Sequence, residues 1–157
     1  MNTTSLPPAG FFRRLGALIY DSLIVMAILM MAGGVIVAIL FACEAAGFID
    51  YGQYQDASDL LTSHPIWGPV YTIYLAFVWI YFFVYFWTRA GQTLGMRAWK
   101  IIVRNSDGSR ITTTQALIRL GTSGFGLGNL TVPIDPDKRS FQDMWAKTEV
   151  VFLPKVR

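Results

Sequence analysis

The chain has little of what most enzymes and metal proteins depend on. It contains one cysteine, Cys43, and one histidine, His64. A single cysteine excludes an internal disulfide, and one Cys with one His makes no recognisable metal cluster. No nucleophile-plus-base arrangement can be recognised either. The chain is therefore expected not to be an enzyme and to carry no cofactor. Charge is scarce as well, at 15% of residues against 54% hydrophobic ones. Soluble domains usually carry about 25% charged residues, so the deficit has to be concentrated somewhere.

Two runs account for it. Ser22 to Cys43 holds no charged residue, and neither does Pro65 to Thr88. Crossing about 30 Å of hydrocarbon takes roughly 20 apolar residues in a helix, so both runs are long enough. The second run is full of amphipathic rings, among them Trp67, Tyr71, Tyr74, Trp79, Tyr81, Tyr85 and Trp87. Rings near its ends suit the headgroup level, whereas those in its middle need protein around their polar atoms. The first run is too long for the core of a cleaved signal peptide. Phe41 and the late position of Cys43 argue against a lipoprotein signal. Arg13-Arg14 reads as juxtamembrane anchoring rather than as a twin-arginine signal.

The basic residues set an orientation. Between Glu44 and His64 stand Glu44, Asp50, Asp56 and Asp59 with no Lys or Arg, so all 13 basic residues lie elsewhere. Arg13 and Arg14 precede the first span, and Arg89, Arg97 and Lys100 follow the second. By the positive-inside rule both termini are expected in the cytoplasm, with the acidic loop outside. The expected order is a first span over about 15–43, an outer loop over about 44–64, a second span over about 65–88, and a cytoplasmic or interfacial half over about 89–157, all in one domain.

That last half is punctuated by glycine and rich in basic residues. KIIVR (100–104) and TEVVFL (148–153) are β-branched runs that could pair in a short sheet, with Asp107-Gly108 at the tip of the turn after the first. A pair this small needs packing beneath the helices. Thr112–Thr114 can cap a helix containing Arg119, and glycines follow at 121, 124, 126 and 128. The segment 113–134 is polar and glycine-rich for a third span and is expected as an interfacial or re-entrant piece packed on protein, with a short third crossing as the alternative. The fold class is thus an α-helical membrane protein with two spans, this extra segment and a β pair.

Three stretches, taken in order, resemble one family. RRLGALIYD opens the chain, GQTLGMR (91–97) follows the second span, and RSFQDMWAKTEVV (139–151) comes near the end. Together they resemble the RDD family of small bacterial membrane proteins, over about residues 9–153. The resemblance makes Arg14 the signature arginine, Asp21 the first signature aspartate and Asp143 the second. Gln142 stands where the family often has histidine, so no role needing an imidazole is carried over. Transport is the activity suggested for the family, and the inner membrane of a bacterium is the expected location.

The chemistry then centres on few groups. Arg14 and Asp21 are seven residues apart, hence on one helix face and about 10 Å apart along the axis. Arg14 is expected to snorkel to the interface. A carboxylate placed like Asp21 should face protein and pair with a cation, for which Arg97, Arg119 and Arg14 are the candidates. It could be a structural ion pair, a protonatable site on an ion path, or a contact with another subunit. Asp143 has Arg139 and Lys147 at i−4 and i+4 if its stretch is helical. The stretch Gly91-Gln92-Thr93-Leu94-Gly95-Met96-Arg97 lacks the glycine spacing and Lys-Ser/Thr of a phosphate loop. A tight turn out of the membrane accounts for it better, with Gly91 and Gly95 allowing close packing and Arg97 beside the first helix.

Ala32, Gly33 and Gly34, with Ala38 and Ala42 beyond, offer a surface for close helix approach. Two functional readings follow. One is an accessory or assembly subunit docking on other membrane helices. The other is a small oligomeric transporter or ion-coupled exchanger using Asp21. Expected partners are the bilayer and further membrane subunits or copies of the chain, not nucleic acid.

Overall fold

The structure is a computed structural model, and residues 6–154 are described here. It is mostly helical. Two long helices dominate: α1, Phe11–Ala45, and α3, Trp67–Ala90, separated by the short helix α2, Ala57–Ser63. After α3 come α4, Leu94–Ala98; strand β1, Ile101–Arg104; α5, Thr113–Thr122; a 3-10 segment, Gly124–Thr131; α6, Phe141–Ala146; and β2, Glu149–Phe152. The chain packs as two units. One is Val25–Trp79; the other unites the chain up to Ile24 with the chain from Ile80 onward.

Both long helices wear their apolar side chains outside. On α1 Met26, Met30, Met31, Val35 and Ile39 are exposed, and on α3 Val70, Ile73 and Phe77 are. A core helix of a soluble protein would bury such residues, so hydrocarbon is the solvent that fits these surfaces. The 35 residues of α1 extend about 52 Å, well beyond the thickness of the hydrocarbon. Its start differs from the expected one near residue 15. The helix begins at Phe11, and Arg14 is turned inward and buried rather than snorkelling. Arg13 is the exposed one of the pair, with its guanidinium 3.9 Å from the centre of the Phe152 ring. The helix α3 begins at Trp67, and just before it His64 Nδ1 accepts from the Ile66 and Trp67 amides at 3.0 and 3.2 Å.

Within Val25–Trp79 the two long helices touch through small residues. A Cβ on Gly33 would collide with the Tyr71 hydroxyl, and the Tyr74 hydroxyl donates to the Ala32 carbonyl at 3.4 Å. The Tyr74 hydroxyl thus finds its partner on the neighbouring helix, which is what a tyrosine inside a span requires.

The other unit holds the sheet. β1 and β2 are antiparallel, with Ile101 opposite Phe152 and Arg104 opposite Glu149. Ile101, Val103, Val150 and Val151 are buried, and the Arg104–Glu149 ion pair closes the far end at 2.8 Å. Pro7 to Ala9 add a row on the free edge of β2: the Phe152 amide donates to the Pro7 carbonyl at 2.8 Å and the Ala9 amide to the Val150 carbonyl at 2.9 Å. That extra row, and helices above it, supply what two strands lack alone. The turn after β1 has Gly108 at φ +85°. α5 starts on a capping box in which Thr112 and Gln115 bond reciprocally. Thr112→Ala should lower stability by about 1 kcal/mol in a thermal unfolding measurement. With ten residues, α5 spans about 15 Å, half of what a crossing needs.

Candidate functional site

The first turns of α1 point Arg14, Ala17 and Asp21 to one buried side, at i, i+3 and i+7. Both ionisable side chains therefore face protein, but they face different partners.

Arg14 reaches Asp143. Its Nη1 donates to Asp143 Oδ2 at 2.6 Å and to Ser140 Oγ at 3.1 Å, Nε to the Ala9 carbonyl at 3.0 Å and Nη2 to the Lys138 carbonyl at 3.0 Å. Arg119, from α5, donates through Nη1 to Asp143 Oδ1 at 2.6 Å and to the Thr148 hydroxyl. Its guanidinium also lies 5.4 Å from the centre of the Trp87 ring. Asp143 is the third residue of α6, and its Oδ2 accepts from the Ser140 amide at 2.9 Å, which caps the helix. Asp143 is only 1% exposed. Burial pushes its carboxyl up, but Arg119 and Arg14 outweigh burial and hold it below the usual carboxylate range. Two guanidiniums share one carboxylate here, leaving a net positive cluster. Among the described residues Arg119 Nε, Trp87 Nε1 and Gln142 Oε1 have no hydrogen-bond partner.

Asp21 meets neutral donors instead. The Thr93 hydroxyl donates to its Oδ2, and the Gly95 amide donates to its Oδ1 at 2.8 Å. Thr93 is the N-cap of α4 and accepts from the Met96 amide at 3.2 Å. Among the described residues no cation pairs with Asp21, which is 3% exposed. The expected ion pair with Arg97, Arg119 or Arg14 is thus not formed. Arg14 and Arg119 are taken by Asp143, and Arg97 is exposed. It is Trp99, not Arg97, that lies on α1, its ring filling the space beside Gly16.

The glycines of the 91–97 stretch act as their positions suggest. Gly91 sits at φ +68°, where a Cβ would also come within 2.9 Å of the Val103 carbonyl. A Cβ on Gly95 would run into the Ala17 carbonyl and lie 2.9 Å from Asp21 Oδ1. Only glycine lets α4 approach α1 closely enough for its amide to reach the carboxylate. Gln92 is structural, donating to the Ile101 carbonyl at 2.7 Å. Gly95→Ala is expected to cost about 1–3 kcal/mol in detergent unfolding, because a backbone oxygen cannot step aside. Gly121→Ala, with open space at its Cβ in α5, is the control and should be neutral or slightly stabilising.

Asp143 also departs from its expected partners. Arg139 bonds Asp135 and Asp137, each at 3.1 Å, and Lys147 takes the left-handed position that ends α6. Thr93, Ser140 and Thr148 were not singled out from the sequence. Two of them carried a signal: Thr93 and Ser140 each precede a short helix at the capping position.

Two apolar helices with lipid-type surfaces, beside a buried charged cluster, define a membrane-type helical protein. The sequence model of the RDD family matches residues 8–147, and the chain belongs to that family. Arg14 and Asp143 are the two ends of one ion pair, while Asp21 stands apart. No curated protein and no solved structure matches the chain.

Proposed function

We propose that this protein is a small, oligomeric, ion-coupled transporter of the bacterial inner membrane, with Asp21 as the group that takes up and releases a proton or cation. One observation carries the reading: Asp21 is a buried carboxyl in a spanning helix held by a hydroxyl and an amide, with no counter-charge among the described residues. Ionisable groups at such depth are costly and mark ion pathways or paired structural charges. Arg14 and Asp143 have the character of the paired kind. Asp21 has that of the first kind, because neutral donors leave its charge uncompensated whenever the proton or cation departs. In this reading both termini face the cytoplasm, the chain carries no cofactor and it performs no covalent chemistry.

Two spans are few for a pathway, so the reading requires more than one copy. Gly34, Ala38 and Ala42 lie exposed at a spacing of four along α1, the pattern of a close helix contact. The same face favours a second reading, an accessory subunit docked on other membrane helices. Proteoliposomes carrying a lumenal pH dye, challenged with pulses of sodium or potassium chloride, separate the two. The transporter reading expects a proton flux that Asp21→Asn removes. Equal signals from wild type, variant and empty vesicles would sink it. The accessory reading expects a stoichiometric foreign membrane subunit on native purification.

A further inference from the structure

The segment following α5 is built inside out. From Leu120 to Ile134 the sequence has no charged residue, and then Asp135, Asp137, Lys138 and Arg139 follow within five positions. Over 124–134 the exposed residues are Gly124, Phe125, Leu127, Leu130, Pro133 and Ile134, all apolar or glycine. Its polar side chains turn inward. Asn129 Oδ1 accepts from Gln142 Nε2 at 3.2 Å, and the Thr131 hydroxyl donates to the Gly128 and Arg139 carbonyls at 3.1 Å each. A loop in water shows the opposite pattern. Backbone groups are paired within the segment too: the Gly126 and Gly128 amides donate to the Ser123 carbonyl at 3.0 and 2.9 Å, and the Ile134 amide to the Thr131 carbonyl at 3.0 Å. Phe125 is 86% exposed and held in the left-handed region at φ 54°.

We infer that residues 124–134 form a shallow re-entrant loop embedded in the acyl chains of the leaflet around the first turns of α1. Its depth is set by Gly126, where a Cβ would fall on the Leu18 side chain. Leu18 lies seven residues into α1, about 10 Å along its axis. The neighbouring outer surface of α1, with Leu15, Ile19 and Leu23 exposed, continues the same apolar band. On the way out α6 exposes Phe141 and Trp145, side chains suited to the headgroup boundary. The loop enters and leaves on one side, because α5 before it and α6 after it are both tied to Asp143. Irregular backbone at membrane depth is tolerated where it packs on protein, and this segment does so through Gly126 against Leu18 and Asn129 against Gln142. The occupant of the exposed face is therefore lipid, and the inference stands whether or not the chain transports ions.

The test uses the full chain in phosphatidylcholine–phosphatidylglycerol vesicles containing a lipid with a diazirine on its acyl chain. Photolysis should attach lipid to the peptide containing 124–134 and leave the aqueous turn at 105–109 unmodified. In a Cys43→Ser background, Leu130→Cys carrying an environment-sensitive fluorophore should be quenched several-fold more by acyl-chain nitroxides than by iodide. Iodide quenching without lipid attachment would place the loop in water and overturn the inference. Shielding from both quenchers, with cross-links between copies, would assign the face to a second subunit and overturn it equally. Photolabelling needs no substitution, so a labelled variant that fails to fold does not remove the test.

Discussion

Asp143→Asn is expected to lower the unfolding free energy by about 3–5 kcal/mol, because it leaves two buried guanidiniums without a counter-charge. Asn retains a carbonyl that can still accept from the Ser140 amide, so the α6 cap survives and the loss reads the charge rather than the helix. Arg119→Gln should cost less, since Arg14 and Asp143 remain paired at 2.6 Å. Unfolding in mixed micelles, followed by tryptophan fluorescence, measures both. The same ion cluster predicts an acid limb. The folded Asp143 carboxyl is held below its ordinary value by the two arginines against the effect of burial. Its contribution is therefore complete above the unfolded value of about 3.9 and is lost as the pH falls through the lower folded value. At neutral pH the wild type has all of it. The Asn variant should be less stable at neutrality and lack this step in acid.

Why part of this was legible beforehand follows from the physics of each feature. The spans were written in uncharged runs, since hydrocarbon forbids charge over a length that a sequence displays directly. The strand pair was legible because β-branched runs at 100–104 and 148–153 have no other use in a glycine-rich half. Partner choice was not legible. Arg14 and Asp143 are 129 residues apart, and no local spacing rule reaches across that distance. The i±4 expectation for Asp143 failed because α6 has six residues, and a carboxylate at its third position turns back to cap the start. The expectation for Asp21 failed for a different reason. It sought a cation, whereas the carboxyl is met by a backbone amide at Gly95, and every non-proline residue carries such a group. The absence of a side chain at Gly95 was the visible trace, and it reads only once Ala17 is known to lie opposite.

In the transporter reading, Asp21→Asn should preserve the fold and remove the flux, and the geometry explains why the two separate. Asn matches Asp in shape. Its Oδ1 can keep the Gly95 amide now at 2.8 Å, and its Nδ2 can donate to the Thr93 hydroxyl oxygen. No salt bridge is broken, because among the described residues Asp21 has none. Accumulation and unfolding midpoint should therefore stay close to wild type, in contrast to Asp143→Asn. What Asn cannot do is exchange a proton or cation, so a pathway through this carboxyl stops. Gly95→Ala should behave differently from both, losing stability and flux together as α4 is pushed off α1. A stable Asp21→Asn protein with undiminished flux would remove Asp21 from the pathway and leave α1 and α4 joined by a purely structural carboxyl. An unstable one would mean that the charge-assisted hydrogen bonds to Asp21 hold the helices, since Nδ2 of Asn cannot accept from the Thr93 hydroxyl.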